Sequence, residues 1–158
     1  FRRVLFRSTN LLFTALALSV IDRLGRKTLL LIGSVGLAIS LGGVAAIELS
    51  NRHQALLLPM LIAFIACFAF SQGAVIWVYI AEIFPSEVRA RGQALGASTH
   101  WFMDALIAGL FPIIARTSKG LPFVVFALAM VAQFLVVLRF FPETKQVTLE
   151  DIENAIRR

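Results

Sequence analysis

Residues Leu56–Ile80 read LLLPMLIAFIACFAFSQGAVIWVYI and contain no charged side chain. A helix needs about 20 predominantly apolar residues to cross a bilayer, so this stretch by itself predicts a membrane-spanning helix. The whole chain agrees, because 59% of its 158 residues are hydrophobic and only 15% are charged, whereas a typical soluble domain has about 25% charged residues. The composition therefore excludes a soluble globular protein, and with it a soluble enzyme.

Other apolar stretches lie on either side of this one. Thr28–Leu49, Gln93–Ala115 and Leu121–Val137 each predict a complete span. Leu11–Ile21 is apolar but too short to cross the membrane, which predicts a half-span. Because the connecting loops are short, consecutive helices are expected to be antiparallel neighbours. The predicted fold is an all-α integral membrane bundle of about five transmembrane helices, the first of them truncated.

The positive charges lie in the loops, which makes them a topology signal rather than a binding patch. The net charge is +6, but no nucleic-acid partner is expected of a chain whose basic residues separate membrane spans. If loop 22–27 is cytoplasmic, loop 82–91 and the C-terminal tail are cytoplasmic too. The inner loops then hold Arg23, Arg26, Lys27, Arg89, Arg91 and Lys145, and the outer loops hold Arg52, Arg116 and Lys119. This excess on the inner side follows the positive-inside rule.

Polar side chains inside the spans are the candidate functional residues, because they are costly in a membrane and usually functional. Asp104 lies in mid-span and His100 precedes it by one helical turn, so both lie on one helix face. They are typical either of a substrate contact or proton-responsive group, or of a protonated aspartate bonded to a neighbouring helix. Trp77, near Gly73, and Trp101, beside His100, are typical either of interfacial anchors or of a site for an uncharged polyol.

Small residues on the second helix predict close helix packing. Gly33, Gly36, Ser40 and Gly43 recur at the three- and four-residue spacing that lets membrane helices approach each other. Gly25 lies in the first loop, where a tight turn requires a residue that is free to adopt positive φ.

Charged residues near the loops form a second candidate group. Asp22 and Arg26 flank the first loop, Glu82 closes the third span, and Arg89 follows it. A charge cluster at converging helix ends can form in one conformation and break in another, which is a gate that acts by population shift. The sequence shows no nucleophile–base pair, metal cluster or phosphate loop, so neither an enzyme activity nor a cofactor or metal site is expected.

Two of these segments resemble motifs of a known family. Asp22–Lys27, DRLGRK, resembles the D-R-x-G-R-K/R loop of the major facilitator superfamily. Trp77–Pro85, WVYIAEIFP, with Arg89 beyond it, resembles the W-x-x-x-[SA]-E-[IL]-F-P-x-x-x-R segment of the sugar porters in that superfamily.

Three further segments occur in the order that this family has them. Asn10–Thr14, NLLFT, resembles the start of the eighth sugar porter helix, and the pair His100-Trp101 occupies the place of their N/Q-W pair. Pro142–Lys145, PETK, resembles the P-E-T-K-G signature after the last helix. The chain is identified on these motifs as a member of the sugar porter family, a C-terminal-half fragment similar to bacterial sugar/proton symporters.

The resemblance implies helices eight to twelve of a twelve-helix transporter that moves a monosaccharide, a hexose or a pentose, by alternating access. Residues 9–141 would form these helices, and residues 142–158 a cytoplasmic tail with a short amphipathic helix. The implied partners are a small-molecule sugar, protons, the lipid bilayer and the missing N-terminal half of the transporter. The implied location is the bacterial inner membrane, and the fragment alone is not expected to transport.

The resemblance and the polar residues of the spans together give two sets of candidate residues. The substrate-binding set comprises Asn10, Gly73, Trp77, His100, Trp101 and Asp104. The cytoplasmic gate comprises Asp22, Arg26, Glu82, Arg89 and Glu143. Three departures from the family pattern leave questions open. Gly73-Ala74 replaces Gly-Pro, which leaves the flexing of the third span open. His100 replaces an amide and Asp104 stands where many members have Asn, so the preferred sugar does not transfer. Proton coupling is open because the carboxylates that the family usually links to protons lie in the missing half.

Two alternatives to sugar transport also fit the sequence. The first is a carrier for another polyol or an organic acid, although no cationic residue that would bind an organic anion lies in these helices. The second is a sugar sensor or scaffold on the same fold that does not transport.

The first eight residues, FRRVLFRS, have a different interpretation. A basic start followed by an apolar run imitates a signal peptide, but here the run ends at the motif loop 22–27. The codons TTC AGA CGT GTG CTC TTC CGA TCT encode the same eight residues and resemble the end of a common short-read sequencing adapter. We therefore expect residues 1–8 to be a translated adapter scar, a hypothesis that native DNA with the same codons across the junction would contradict.

Overall fold

The computed structural model describes residues 2–142, and this part of the chain is built from helices without strands. The helices are α1 (Arg2–Leu24), α2 (Arg26–Ser50), α3 (Leu57–Phe70), α4 (Gln72–Ile83), α5 (Arg89–Thr117) and α6 (Leu121–Phe140), with a single 3-10 turn at Gln54–Leu56. The turn, α3 and α4 together form one span, so five segments are long and apolar enough to cross a membrane. The all-α membrane fold is therefore confirmed, whereas Glu143 and the predicted tail helix lie outside the described residues.

The first helix is longer than the sequence pattern predicts. α1 has 23 residues, and its Arg3–Leu24 portion is long and apolar enough to cross a membrane. In the structure the apolar segment Leu11–Ile21 is part of a longer helix, because the residues before it, which include the predicted scar, continue the same helix. Arg3 and Arg7 lie one turn apart and are exposed, and a long arginine side chain can hold its charge away from apolar surface. A count of uninterrupted apolar residues thus underestimates this helix.

The turn between α1 and α2 consists of a single residue. Gly25 has φ 88°, a conformation that side chains with a Cβ rarely adopt, so the predicted need for glycine is confirmed. Its backbone N–H donates to the carbonyl of Ile21 at 3.0 Å. Asp22 and Arg26 thus lie in the last turn of α1 and the first turn of α2, which brings their side chains close together.

Helix α2 is the central element of the bundle. It contains the largest group of buried residues and packs mainly on α6 and α3, while α1 packs on α3. Its small residues allow this approach: a Cβ added at Gly36 would lie 2.6 Å from Cys67 Sγ, and one at Gly33 would overlap the side chain of Ser71. The predicted packing role of these two glycines is confirmed. By contrast, Gly92 is the only buried residue of α5 in the described chain.

The third span is interrupted at Ser71, between α3 and α4. The φ and ψ angles of Ser71 are −123° and −89°, outside the helical range. Its hydroxyl donates to the carbonyl of Cys67 at 2.6 Å, while its N–H donates to the carbonyl of Phe68 at 3.2 Å. These bonds satisfy polar groups that would otherwise be costly at membrane depth. The span therefore has a break without the proline that the family places near this position.

Candidate functional site

A cavity of about 510 Å³ lies between the helices in the membrane-spanning part of the bundle. Its volume is in the range of about 300–1,000 Å³ that is usual for small-molecule sites. The wall is formed by Leu30 of α2, Phe68 of α3, Gln72, Gly73, Ile76 and Trp77 of α4, His100 and Trp101 of α5, and Gln133, Val136, Val137 and Phe141 in and just after α6. Four of the six residues in the predicted substrate-binding set therefore line one cavity: Gly73, Trp77, His100 and Trp101.

Three of the aromatic rings in this wall, from α4 and α5, contact one another. The ring centroids of Trp77 and His100 lie 5.2 Å apart with an interplanar angle of 78°, and those of His100 and Trp101 lie 5.5 Å apart at 73°. Edge-to-face contacts of this kind are favourable, and here they connect α4 to α5. The imidazole is thereby placed between two indoles, and 43% of Trp77 and 63% of Trp101 remain exposed to meet a ligand.

The chemistry of the wall suits a neutral molecule that has both polar and apolar faces. Indole faces cover C–H groups, whereas the imidazole of His100 and the side-chain amides of Gln72 and Gln133 offer hydrogen-bond donors and acceptors. Among residues 2–142, no aspartate, glutamate, lysine or arginine lines the cavity. An anionic or cationic ligand would therefore find no opposite charge among the lining residues.

Two glutamines of this wall were not among the predicted site residues. Gln72 belongs to the polar patch that begins at Ser71, and Gln133 lies in the otherwise apolar stretch Leu121–Val137. The available signal was an amide inside an apolar span, which is unusual enough to mark a site. A pattern alone does not show whether such an amide faces a cavity or a neighbouring helix.

Asn10 and Asp104 lie outside the lining of this cavity. Asn10 is exposed on α1 and Asp104 is exposed on α5. Asp104 makes no hydrogen bond or ion pair with another residue in the described part of the chain. Its assignment to the substrate-binding set stays a prediction, as does that of Asn10.

Three of the five predicted gate residues, Asp22, Arg26 and Glu82, meet at one end of the bundle. The Arg26 guanidinium forms two hydrogen bonds with the Glu82 carboxylate, Nη2 to Oε1 at 2.7 Å and Nε to Oε2 at 3.0 Å. Its Nη1 forms an ion pair with Asp22 Oδ1 at 2.9 Å. Arg26 thus links α1, α2 and α4 with a paired geometry that fixes both position and orientation. Arg89 lies nearby in sequence but donates to the carbonyl of Phe84 at 3.3 Å, and Glu143 lies beyond the described residues.

A second set of contacts holds the end of α6 at the same end of the bundle. The rings of Tyr79 and Phe141 are stacked with centroids 4.9 Å apart, and the Tyr79 hydroxyl donates to the carbonyl of Pro142 at 3.4 Å. The Lys27 ammonium donates to the carbonyl of Leu138 at 3.0 Å. Phe141 also lines the cavity, so these contacts connect the cavity wall to the helix ends that carry the ion pairs.

The residues described here show no site for a metal. No group of three or more histidine, cysteine, aspartate or glutamate side chains lies close enough to bind one within residues 2–142.

Comparison of the chain with known proteins identifies its family. A family model described as "Sugar (and other) transporter" matches residues 3–156. The chain belongs to this sugar transporter family. It is 31% identical over 151 residues to the D-xylose-proton symporter of Escherichia coli, a match that covers 91% of this chain and 31% of that protein. It is 33% identical over 155 residues to the glucose facilitated diffusion protein of Zymomonas mobilis, covering 94% of this chain and 33% of the relative.

The structural comparison agrees with this family assignment. The fold matches the solved structure of XylE, a proton:xylose symporter of the major facilitator superfamily bound to 6-bromo-6-deoxy-D-glucose, with a TM-score of 0.91 and 28% identity. That match covers 98% of this chain and 34% of the XylE chain. The membership in the sugar porters that the motifs imply is thereby confirmed. The chain spans about a third of the length of the curated relatives it matches.

Proposed function

We propose that this chain is part of a transporter that moves a monosaccharide across a membrane by alternating access. The observation that carries the proposal is the cavity in which Trp77, His100 and Trp101 meet, and none of its lining residues in the described part of the chain is charged. An uncharged sugar needs aromatic surface for its C–H faces and neutral hydrogen-bonding groups for its hydroxyls, and this wall supplies both. The names of the relatives, which are xylose and glucose transport proteins, support the same substrate class.

The missing part of the substrate site would come from the N-terminal half of the transporter. On α5 the polar residues Ser98, Thr99, His100 and Asp104 and the apolar residues Phe102 and Leu106 are all exposed. Since both the polar and the apolar sides of α5 are exposed, the polar side is available to contact a second protein half and the apolar side to contact lipid. The chain alone is therefore not expected to transport.

The ion pairs of Arg26 support a gating role at the cytoplasmic side. Arg26 joins loop 22–27 to Glu82 at the start of loop 82–91, so both loops lie at the same end of the bundle, as a common side of the membrane requires. The positive-inside rule then assigns that end to the cytoplasm. In the proposed cycle these contacts stabilise one conformation and break in the other, which shifts the population between the two. The membrane concerned would be the bacterial inner membrane.

Proton coupling is the second part of the proposal. One relative is named a proton symporter and another a facilitated diffusion protein, so the family holds both types. Asp104 is the candidate proton-responsive group because it is a carboxylate within a span, where an unpaired charge is costly.

Uptake of radiolabelled sugars by the full-length gene product, expressed in transporter-deficient cells, tests this function. We expect saturable uptake of a pentose or a hexose, and Trp101→Leu should raise KM about tenfold through loss of its ring contact. The matched control is Phe102→Leu, since Phe102 is the next aromatic residue on α5, is exposed, and does not line the cavity. Normal membrane insertion without uptake of any sugar would contradict the proposal and favour a sensor or scaffold, whereas uptake of an organic acid would favour the alternative carrier.

A further inference from the structure

Gln133 is the polar, uncharged side chain in the middle of α6. The rest of that helix is apolar as far as Arg139 in its last turn. A primary amide carries two N–H donors and one carbonyl acceptor, and an amide within a span is costly when these groups lack partners. The position therefore needs an explanation from its surroundings.

The side chain of Gln133 faces the cavity and has no hydrogen-bond partner among the described residues. The side chain is half-buried and lines the cavity wall, and it forms no hydrogen bond to another residue in the described part of the chain. The second amide of the wall, Gln72, donates from Nε2 to Met130 Sδ at 3.8 Å. A thioether is a weak acceptor, so both amides keep hydrogen-bonding capacity for whatever occupies the cavity.

The helix that carries Gln133 is held firmly against the rest of the bundle. α6 packs closely on the central helix α2, Val137 is 2% exposed, and Lys27 of α2 donates to the carbonyl of Leu138. A side chain one turn before Val137 is thus attached to a fixed wall. The edge-to-face group of Trp77, His100 and Trp101 belongs to α4 and α5, whereas Gln133 belongs to α6, so its amide reaches the cavity from a different helix.

We propose that Gln133 is a specificity-determining residue that hydrogen-bonds a hydroxyl of the transported sugar. The inference rests on the proposed function, and it adds the last helix to the elements that select the substrate. An amide both donates and accepts, so it can satisfy a hydroxyl that does the same. A site built to hydrogen-bond a hydroxyl rejects an analogue that lacks it, because the amide is then left unpaired.

The test is competition by deoxy sugars against uptake of the parent sugar, with the full-length gene product in transporter-deficient cells. The wild type should discriminate against one monodeoxy analogue at least about tenfold more strongly than Gln133→Leu does, since leucine has similar bulk and no hydrogen bond to lose. Discrimination against the other deoxy positions should not change. The control is Leu135→Ala in the same helix, because Leu135 is 58% exposed and does not line the cavity.

The conservative variant Gln133→Asn keeps the amide but withdraws it by one methylene, so it should alter discrimination at the same deoxy position. This variant also serves if Gln133→Leu does not reach the membrane. Deoxy profiles that stay identical in the wild type and in the inserted variants would overturn the inference and leave water as the partner of Gln133. A wild type that transports no sugar would instead contradict the proposed function, so the two failures are distinguishable.

Discussion

Replacement of Gly33 by alanine tests the packing between α2 and α3 directly. A Cβ at Gly33 would overlap both Ser71 Cβ and Ser71 Oγ, and its next neighbour would be the Cys67 carbonyl at 3.7 Å, an ordinary contact. Ser71 is fully buried and its hydroxyl is bonded to the Cys67 carbonyl, so it has no free space into which it can move. Gly33→Ala should therefore push α3 away from α2 at the break in the third span.

The size of the effect follows from two opposing contributions. Alanine in place of glycine stabilises a helix interior by about 1 kcal/mol, whereas an extra methyl group in a packed interior costs about 1–3 kcal/mol. Gly42 lies in the same helix, and a Cβ there meets nothing within 4 Å. Gly42→Ala should therefore gain the helix stabilisation without the packing cost. The difference between the two variants should thus be about 2 kcal/mol, or about 4–8 °C in melting temperature for a chain of this size.

The assay is thermal unfolding of the purified chain in detergent, followed by far-UV circular dichroism, with both variants measured beside the wild type. The double variant Gly33→Ala/Ser71→Gly supplies the rescue, because it removes the two atoms that the new methyl group would overlap. Its loss of stability should be smaller than the sum of the two single losses, since contacting residues are not additive. Equal melting temperatures for Gly33→Ala and Gly42→Ala would refute the close approach of the two helices.

Three further predictions concern the ion pairs, the carboxylate in mid-span and the cavity. Glu82→Gln should lower the free energy of unfolding by about 1.5–3 kcal/mol, because it weakens two charge-assisted hydrogen bonds to Arg26. Asp22→Asn should cost no more than about 1 kcal/mol, because the Asp22 side chain is 81% exposed, and equal losses in thermal unfolding would contradict this difference. Asp104→Asn should alter the pH dependence of sugar uptake by the full-length protein, and an unchanged pH profile would remove Asp104 from any proton role. A transported sugar should change the tryptophan fluorescence of the full-length protein, and Trp77→Phe and Trp101→Phe should each reduce that change, because both tryptophans line the cavity. An equal change in the wild type and in both variants would contradict sugar binding at these rings.

The local features of this chain were predictable because they depend on neighbouring residues. An uncharged, apolar stretch such as Leu56–Ile80 is long enough to cross a bilayer regardless of which helices surround it. The single-residue turn at Gly25 requires a glycine because its positive φ is sterically unfavourable for other residues. The motif resemblance placed Trp77 and His100 in one predicted substrate-binding set, whereas the contact between their rings, which joins two spans, was not predicted. Arg26 and Glu82 were placed in one predicted charge cluster, and the structure shows that they pair directly.

Other features could not be predicted from the sequence, because they depend on contacts with a second helix. The third span reads as one continuous helix, yet it breaks at Ser71, whose side chain is seated against Gly33 of α2. Gln133 reads as one polar residue in an apolar run, and only the packing of α6 shows that its amide lines the cavity. The length of α1 was not predicted for another reason. A count of apolar residues starts the segment at Leu11, whereas the helix begins earlier because it tolerates the exposed Arg3 and Arg7.

The sequence by itself determined that this protein is a helical membrane bundle, because hydrophobic length and charge placement act along the chain. It also determined which residue types are available for the neutral, hydroxyl-bearing substrate that we propose. Only the tertiary structure decided which of them share a cavity: Trp77, His100 and Trp101 line it together with Gln133, while Asp104 lies elsewhere on α5. The physical reason is that a cavity is the space left between helices, and that space depends on small residues that let some helices approach closely while others stay apart.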